Sequence, residues 1–285
     1  MMDTVRPRFG VSTHLYHDQR LSRDHLVEIA AHGFETVELF ATASHFDYHN
    51  PARVADLQEW LADAGLTLHS IHAPIVESLI GTTWGRSFSN AATDDALRLH
   101  AVAEAKAALA IARRIPTGFL VVHLGRPTSD APSEGDNSRA AVRRSLEALY
   151  PQTEPLGVRL ALEVIPNNLS TAGALVQLLE DDLEMPGAGI CLDFGHANLL
   201  GDLVDAIEVV SGHLITTHVH DNRGRRDDHL VPFQGTIDWN ATLTAVQKVG
   251  YEGTYMLELA NTGTPRQTLE QAQQARARFE RILTS

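Results

Sequence analysis

Six apolar runs in this chain each end in a side chain that binds metals. They are His72 in SIHAP, His123 in VVHLG, Glu163 in LALEV, Asp193 in ICLDFGH, His218 in ITTHVHD and Glu258 in MLELA. Every gap between them is long enough for a crossover helix and a return strand. A closed parallel barrel puts the C-terminal ends of all its strands at one mouth, where active sites of that fold are built. One recurrent position thus gathers side chains from distant sequence at a single point.

The rest of the chain keeps the same rhythm. Strands are expected at Phe9–Ser12, Thr36–Phe40, Thr67–His72, Gly118–His123, Arg159–Val164, Gly189–Asp193, Leu214–His220 and Thr254–Glu258. Helices are expected at Ser22–His32, Pro51–Ala64, Thr93–Arg114, Asn137–Tyr150, Ala172–Asp181, Leu203–Ser211, Trp239–Val249 and Pro265–Leu283. Eight of each in strict alternation predict an α/β fold, a (β/α)8 TIM barrel, as one domain over residues 1–285. Asn50-Pro51 and Thr264-Pro265-Arg266-Gln267 read as helix N-caps, the second with Gln267 closing a capping box. The polar stretch Gly125–Asp136 reads as a long loop after the fourth strand, either a lid or a surface loop.

Bulk properties narrow the function. No stretch approaches the ~20 consecutive apolar residues of a membrane span. MMDTVRPRFG lacks the apolar core of a secretory signal. The one cysteine, Cys191, excludes an intrachain disulfide, so a cytoplasmic location is expected. The formal net charge of −13 speaks against a nucleic-acid partner, and no membrane partner is expected. An exposed helix face would allow a homodimer.

Glu163, Asp193, His218 and Glu258 together offer three carboxylates and an imidazole. That mixed set suits Mn, Mg, Co or Zn better than a thiolate-preferring metal, and no organic cofactor is expected. A buried salt bridge with a loop arginine would explain any one of these carboxylates equally well. Further candidates are His196, three residues after Asp193, and Asp227 and His229, two residues apart in RRDDH. His220 shares a strand face with His218 and reads as a ligand, a substrate contact or a polar neighbour. His72 and His123 read as ligands or as barrel-mouth histidines bonded to backbone.

The motifs SIHAP, VVHLGR, LEV, CLDFGHANLLGD, HVHDN, DDHLVPFQGTIDW and MLEL, taken in order, resemble the xylose isomerase-like TIM-barrel superfamily over about Phe9 to Glu258. That group includes sugar and sugar phosphate isomerases and epimerases, and the endonuclease IV-type nucleases. For the ketose epimerases and inosose isomerases, the resemblance implies one divalent metal on Glu163, Asp193, His218 and Glu258, with the two glutamates as the acid/base pair. For the nucleases it implies three zinc ions on His72, His123, Glu163, Asp193, His196, His218, Asp227, His229 and Glu258. Ile75, Val164-Ile165-Pro166 and Phe233 depart from the nuclease pattern, which has an aromatic, a polar segment and a glycine there.

The expected function is therefore a metal-dependent isomerase or epimerase of a small carbohydrate or cyclitol, moving a proton through an enediolate. His196 and Arg223 are expected to touch substrate. A multi-zinc phosphodiesterase and a metal-dependent dehydratase are the alternatives. Trp84, Phe88, Phe46 and Phe233 are candidate apolar walls, and the scarcity of lysine, only Lys106 and Lys248, points to an unphosphorylated substrate.

Overall fold

The computed structural model describes residues 7–80, 83–261 and 263–284. Its eight parallel strands close into a barrel. They are β1 (Arg8–Ser12), β2 (Thr36–Phe40), β3 (Thr67–His72), β4 (Phe119–Val122), β5 (Arg159–Glu163), β6 (Gly189–Asp193), β7 (Leu214–Val219) and β8 (Thr254–Leu257). Each strand pairs with its sequence neighbours, and β1 pairs with β8 to close the ring. The helices α1 (Arg23–Ala31), α2 (Pro51–Ala64), α3 (Asp95–Leu109), α4 (Arg139–Thr153), α5 (Ala172–Gln177), α6 (Phe194–Leu200), α7 (Leu203–Val210), α8 (Trp239–Lys248) and α9 (Pro265–Leu283) lie between them. Among the described residues no helix is long and apolar enough to cross a membrane.

The eight expected strands are all present, each within two residues of its expected bounds at either end. The helices differ more. The third helix ends in a 3-10 turn at Ala110–Arg113, and the fifth continues as a π-helical turn at Leu178–Asp182. α4 begins at Arg139 and runs through Pro151 to Thr153, because Asn137 is used in the loop. Its side-chain oxygen accepts from Arg126 N–H at 2.7 Å, and its amide donates to the Arg126 carbonyl at 2.9 Å. α6 is an additional helix, outside the eight expected: Asp193 caps it by accepting from His196 N–H at 2.7 Å. Asn50 and Thr264 cap α2 and α9 as expected.

The main core lies between the strands and the helical ring, where Leu26, Leu57, Leu146, Ile207, Leu243 and Phe279 are buried. A small separate cluster, Val121, Ala161 and Cys191, fills the barrel interior. Two register shifts tune the ring. Between β2 and β3, Val37 faces Leu68 but Glu38 faces Ser70, leaving His69 as the extra residue. Between β6 and β7, Ile190 faces Leu214 but Cys191 faces Thr216, so that Asp193 comes directly opposite His218. Such bulges bend a strand and re-aim its side chains.

Candidate metal centre

At the C-terminal mouth Glu163, Asp193, His218 and Glu258 converge, all of them buried. One ligand atom from each lies within 4.8 Å of the others, a set that could hold a metal ion. His218 Nδ1 stands 3.2 Å from Glu163 Oε1 and 3.3 Å from Glu258 Oε2. His72 Nε2 and His123 Nε2 both reach Glu163 Oε2, at 3.1 and 3.0 Å, making a second group. His196, His220, Asp227 and His229 form a third. There Asp227 Oδ2 lies 3.0 Å from both His196 Nε2 and His229 Nε2. All ten side chains expected from sequence as ligands or their neighbours therefore meet at one mouth.

Among the described residues, the ion-pair partners of Glu163, Asp193 and Glu258 are all histidines. The loop arginine that would have explained these carboxylates as ordinary buried salt bridges is not among them. Three buried carboxylates whose ion-pair partners are all imidazoles are a donor set that a divalent cation would complete.

The histidines are oriented by backbone as well. His72 Nδ1–H donates to the Ala73 carbonyl at 2.9 Å, which leaves Nε2 for Glu163. His196 and His229 use Nδ1 in the same way, toward the carbonyls of Val164 and Glu258. The two readings of His72 thus hold together, since one nitrogen bonds backbone and the other joins the cluster. His220 is fully buried with Nε2 3.0 Å from Asp193 Oδ1, and it does not line the cleft. A Cβ added at Gly195 would fall inside its ring, so glycine is required there.

The imidazoles and carboxylates shift one another's charge states. Burial opposes protonation of His72, but its hydrogen bond to Glu163 and that carboxylate's charge outweigh it, raising its pKa to about 9. Burial likewise opposes the charge on His229, and Asp227 raises it to about 10. Glu163 and Glu258 are held well below the usual carboxylate range, since the surrounding imidazoles outweigh their burial.

Above the centre opens a cleft of about 1000 Å³. Glu258, His72, His123, His196, Asp227 and His229 line it, and Glu163 does not. Trp84 and Phe88 line it; Phe46 and Phe233 do not. Phe233 packs instead on Trp239 and Phe279. Its backbone sits at φ 74°, a left-handed conformation that a glycine takes freely. Arg223 is exposed, and the cleft-lining residues of its loop are Gly224, Arg225, Arg226, Asp227 and His229. The stretch Gly125–Asp136 carries two short 3-10 turns and is tied back by Arg126 to Asp136 at 3.2 Å, with Gly125 to Asp130 on the cleft wall.

Sequence reasoning missed two residues here. His14, just past β1, lines the cleft and stacks on His229 with ring centroids 4.7 Å apart. Burial, then the charge of His229, keeps it neutral. It obeys the same strand-end rule as the candidate ligands, and FGVSTH carried that signal. Glu38, inside the barrel, follows no such rule.

One carboxylate gathers donors from the loop bearing Asp227 and His229. Asp221 accepts from the N–H groups of Asn222, Phe233 and Ile237 at 2.9, 3.0 and 3.2 Å, and from Trp239 Nε1 at 2.9 Å. Asp221→Asn would turn an amide NH2 toward donors that need an acceptor. It is expected to cost about 3 kcal/mol in denaturant unfolding and to speed amide exchange across residues 222–237. Unchanged exchange there would mean that other contacts hold the loop.

A profile of xylose isomerase-like TIM barrels matches residues 26–282. The chain belongs to that family. An inosose isomerase of Bacillus velezensis is 23% identical over 238 residues, 80% of this chain and 79% of that protein. Among solved structures, a D-tagatose 3-epimerase-like protein superimposes with a TM-score of 0.79 at 23% identity, covering 97% of this chain and 98% of the other. The IOLI protein, solved with a bound zinc atom, superimposes with a TM-score of 0.73 at 16% identity, covering 96% and 98%.

Proposed function

We propose that this protein is a divalent-metal-dependent isomerase or epimerase acting on a small ketose, aldose or inosose. The observation that carries the reading is the buried set Glu163, Asp193, His218 and Glu258, which lacks any arginine or lysine counter-charge among the described residues. A cation bound there supplies a Lewis acid that polarises a carbonyl and acidifies the neighbouring C–H. Asp193 and His218 hold position, Asp193 through its bond from His220. Glu258 reaches the cleft and is placed to exchange a proton with substrate carbon, with Glu163 as its opposite number across His218. His196 lines the cleft wall, and a substrate oxygen would reach its Nε2 only in place of Asp227. Similarity to an inosose isomerase and to a tagatose epimerase-like protein supports the substrate class.

A second reading, a multinuclear phosphodiesterase, is favoured by the three further donor groups among the described residues. Two share residues with the first set, through Glu163 and through His218 with Glu258, and the third centres on Asp227. Metal content per chain, on protein purified without tag or chelator, tests both. About one metal, with turnover on a panel of ketoses and inososes, supports the first. Two or three zinc ions, with cleavage of phosphodiesters and no sugar turnover, would replace it with the second.

A further inference from the structure

The proposed chemistry leaves one buried charge without a task. Glu38 sits in the middle of β2 and points into the barrel, fully buried. Its Oε2 lies 2.9 Å from His218 Nε2 and accepts from Ser70 Oγ at 2.8 Å. Its Oε1 has no hydrogen-bond partner, and His218 is its one ion-pair partner among the described residues. A carboxylate in so enclosed a place is costly unless it serves a partner.

His218 spans two carboxylate environments. Nε2 faces Glu38 below, and Nδ1 faces Glu163 and Glu258 above. An imidazole that gives its Nδ1 lone pair to a cation must carry its proton on Nε2, and a carboxylate at Nε2 fixes that tautomer and raises the basicity of the ring. The register shift between β2 and β3 makes this possible, because it sets Glu38 opposite Ser70 rather than His69. Ser70 then holds the carboxylate by its own hydrogen bond, separate from that of His218.

Resting on the metal-centre reading above, we infer that Glu38 is a positioning residue that locks His218 in the Nε2–H tautomer and tightens metal binding from beneath the site. It touches no substrate. The tests use the full-length chain and zinc, with chelator competition to read affinity and thermal unfolding to check the fold. Glu38→Gln keeps the shape and an acceptor oxygen but removes the charge. It is expected to weaken zinc by about 10- to 100-fold. Ser70→Ala, which leaves the charge in place, is expected to bind zinc nearly as wild type does. Long-range nitrogen–proton spectra of zinc-loaded wild type should show His218 protonated at Nε2, a readout that needs no variant to fold. Wild-type zinc affinity in a folded Glu38→Gln protein, or a proton found on Nδ1, would overturn the inference while leaving the metal centre standing. Failure of the wild type itself to bind zinc would overturn both.

Discussion

Glu163→Gln is expected to lower turnover on a confirmed substrate by about 10⁴-fold and to strip metal from the protein. The reason is that two donor groups meet on this one side chain. Oε2 faces His72 and His123, while Oε1 faces His218 and, at 3.5 Å, His196. The amide offers one weak acceptor oxygen where two charged ones stood, so ligand and proton-transfer group go together. Glu258→Gln should cost a similar factor, and the double variant little more, because groups acting as a unit are not additive. Steady-state kinetics alongside metal analysis decide the matter. Turnover within tenfold of wild type in either single variant would remove that glutamate from the proposed chemistry.

Stripping the metal should reshape the dependence of stability on pH. In the metal-free chain His72 and His229 have pKa values near 9 and 10, above the value of about 6.5 for an unfolded histidine. Their contribution is fully present below about pH 6.5 and is lost as pH rises through about 9 to 10. Glu163, Glu258 and Asp227 are shifted the other way, Asp227 because the charges of His229 and His196 outweigh its burial. Their contribution is present above about pH 4 and is lost on further acidification. Chelator-treated protein should therefore melt progressively lower as pH rises from 7 to 10. Zinc-loaded protein should show less of this, since the cation takes the place of the proton on His218 and neutralises the carboxylates that raise His72. For the same reason zinc binding near pH 7 should release protons, read by titration calorimetry in buffers of different ionisation enthalpy. A flat alkaline limb without metal, together with no proton release, would contradict these charge assignments.

Much of this site is legible in the amino-acid sequence, because its logic is local. A run such as MLELA shows its own strand, its own end and its own ligand, and the barrel rule then states where all such ends go. The shared role of Glu163 is not legible there, since it depends on His72 and His123 arriving from two other strands. Arg223 shows the same boundary from the other side. Its sequence position next to HVHDN invites a substrate role, yet the turn at Gly224 presents Arg225 and Arg226 to the cleft instead.

What the sequence alone determined was the barrel and the candidate ligands at its mouth, because strand periodicity and residue type are written in short stretches of chain. What tertiary structure decided was everything that depends on register. A single extra residue at His69 sets Glu38 beneath His218, and another at Ile215 puts Asp193 opposite His218. Asp221 gathers donors from a loop that no short motif describes. These placements follow from closure of the ring, in which the position of each strand is settled by its neighbours and not by its own residues.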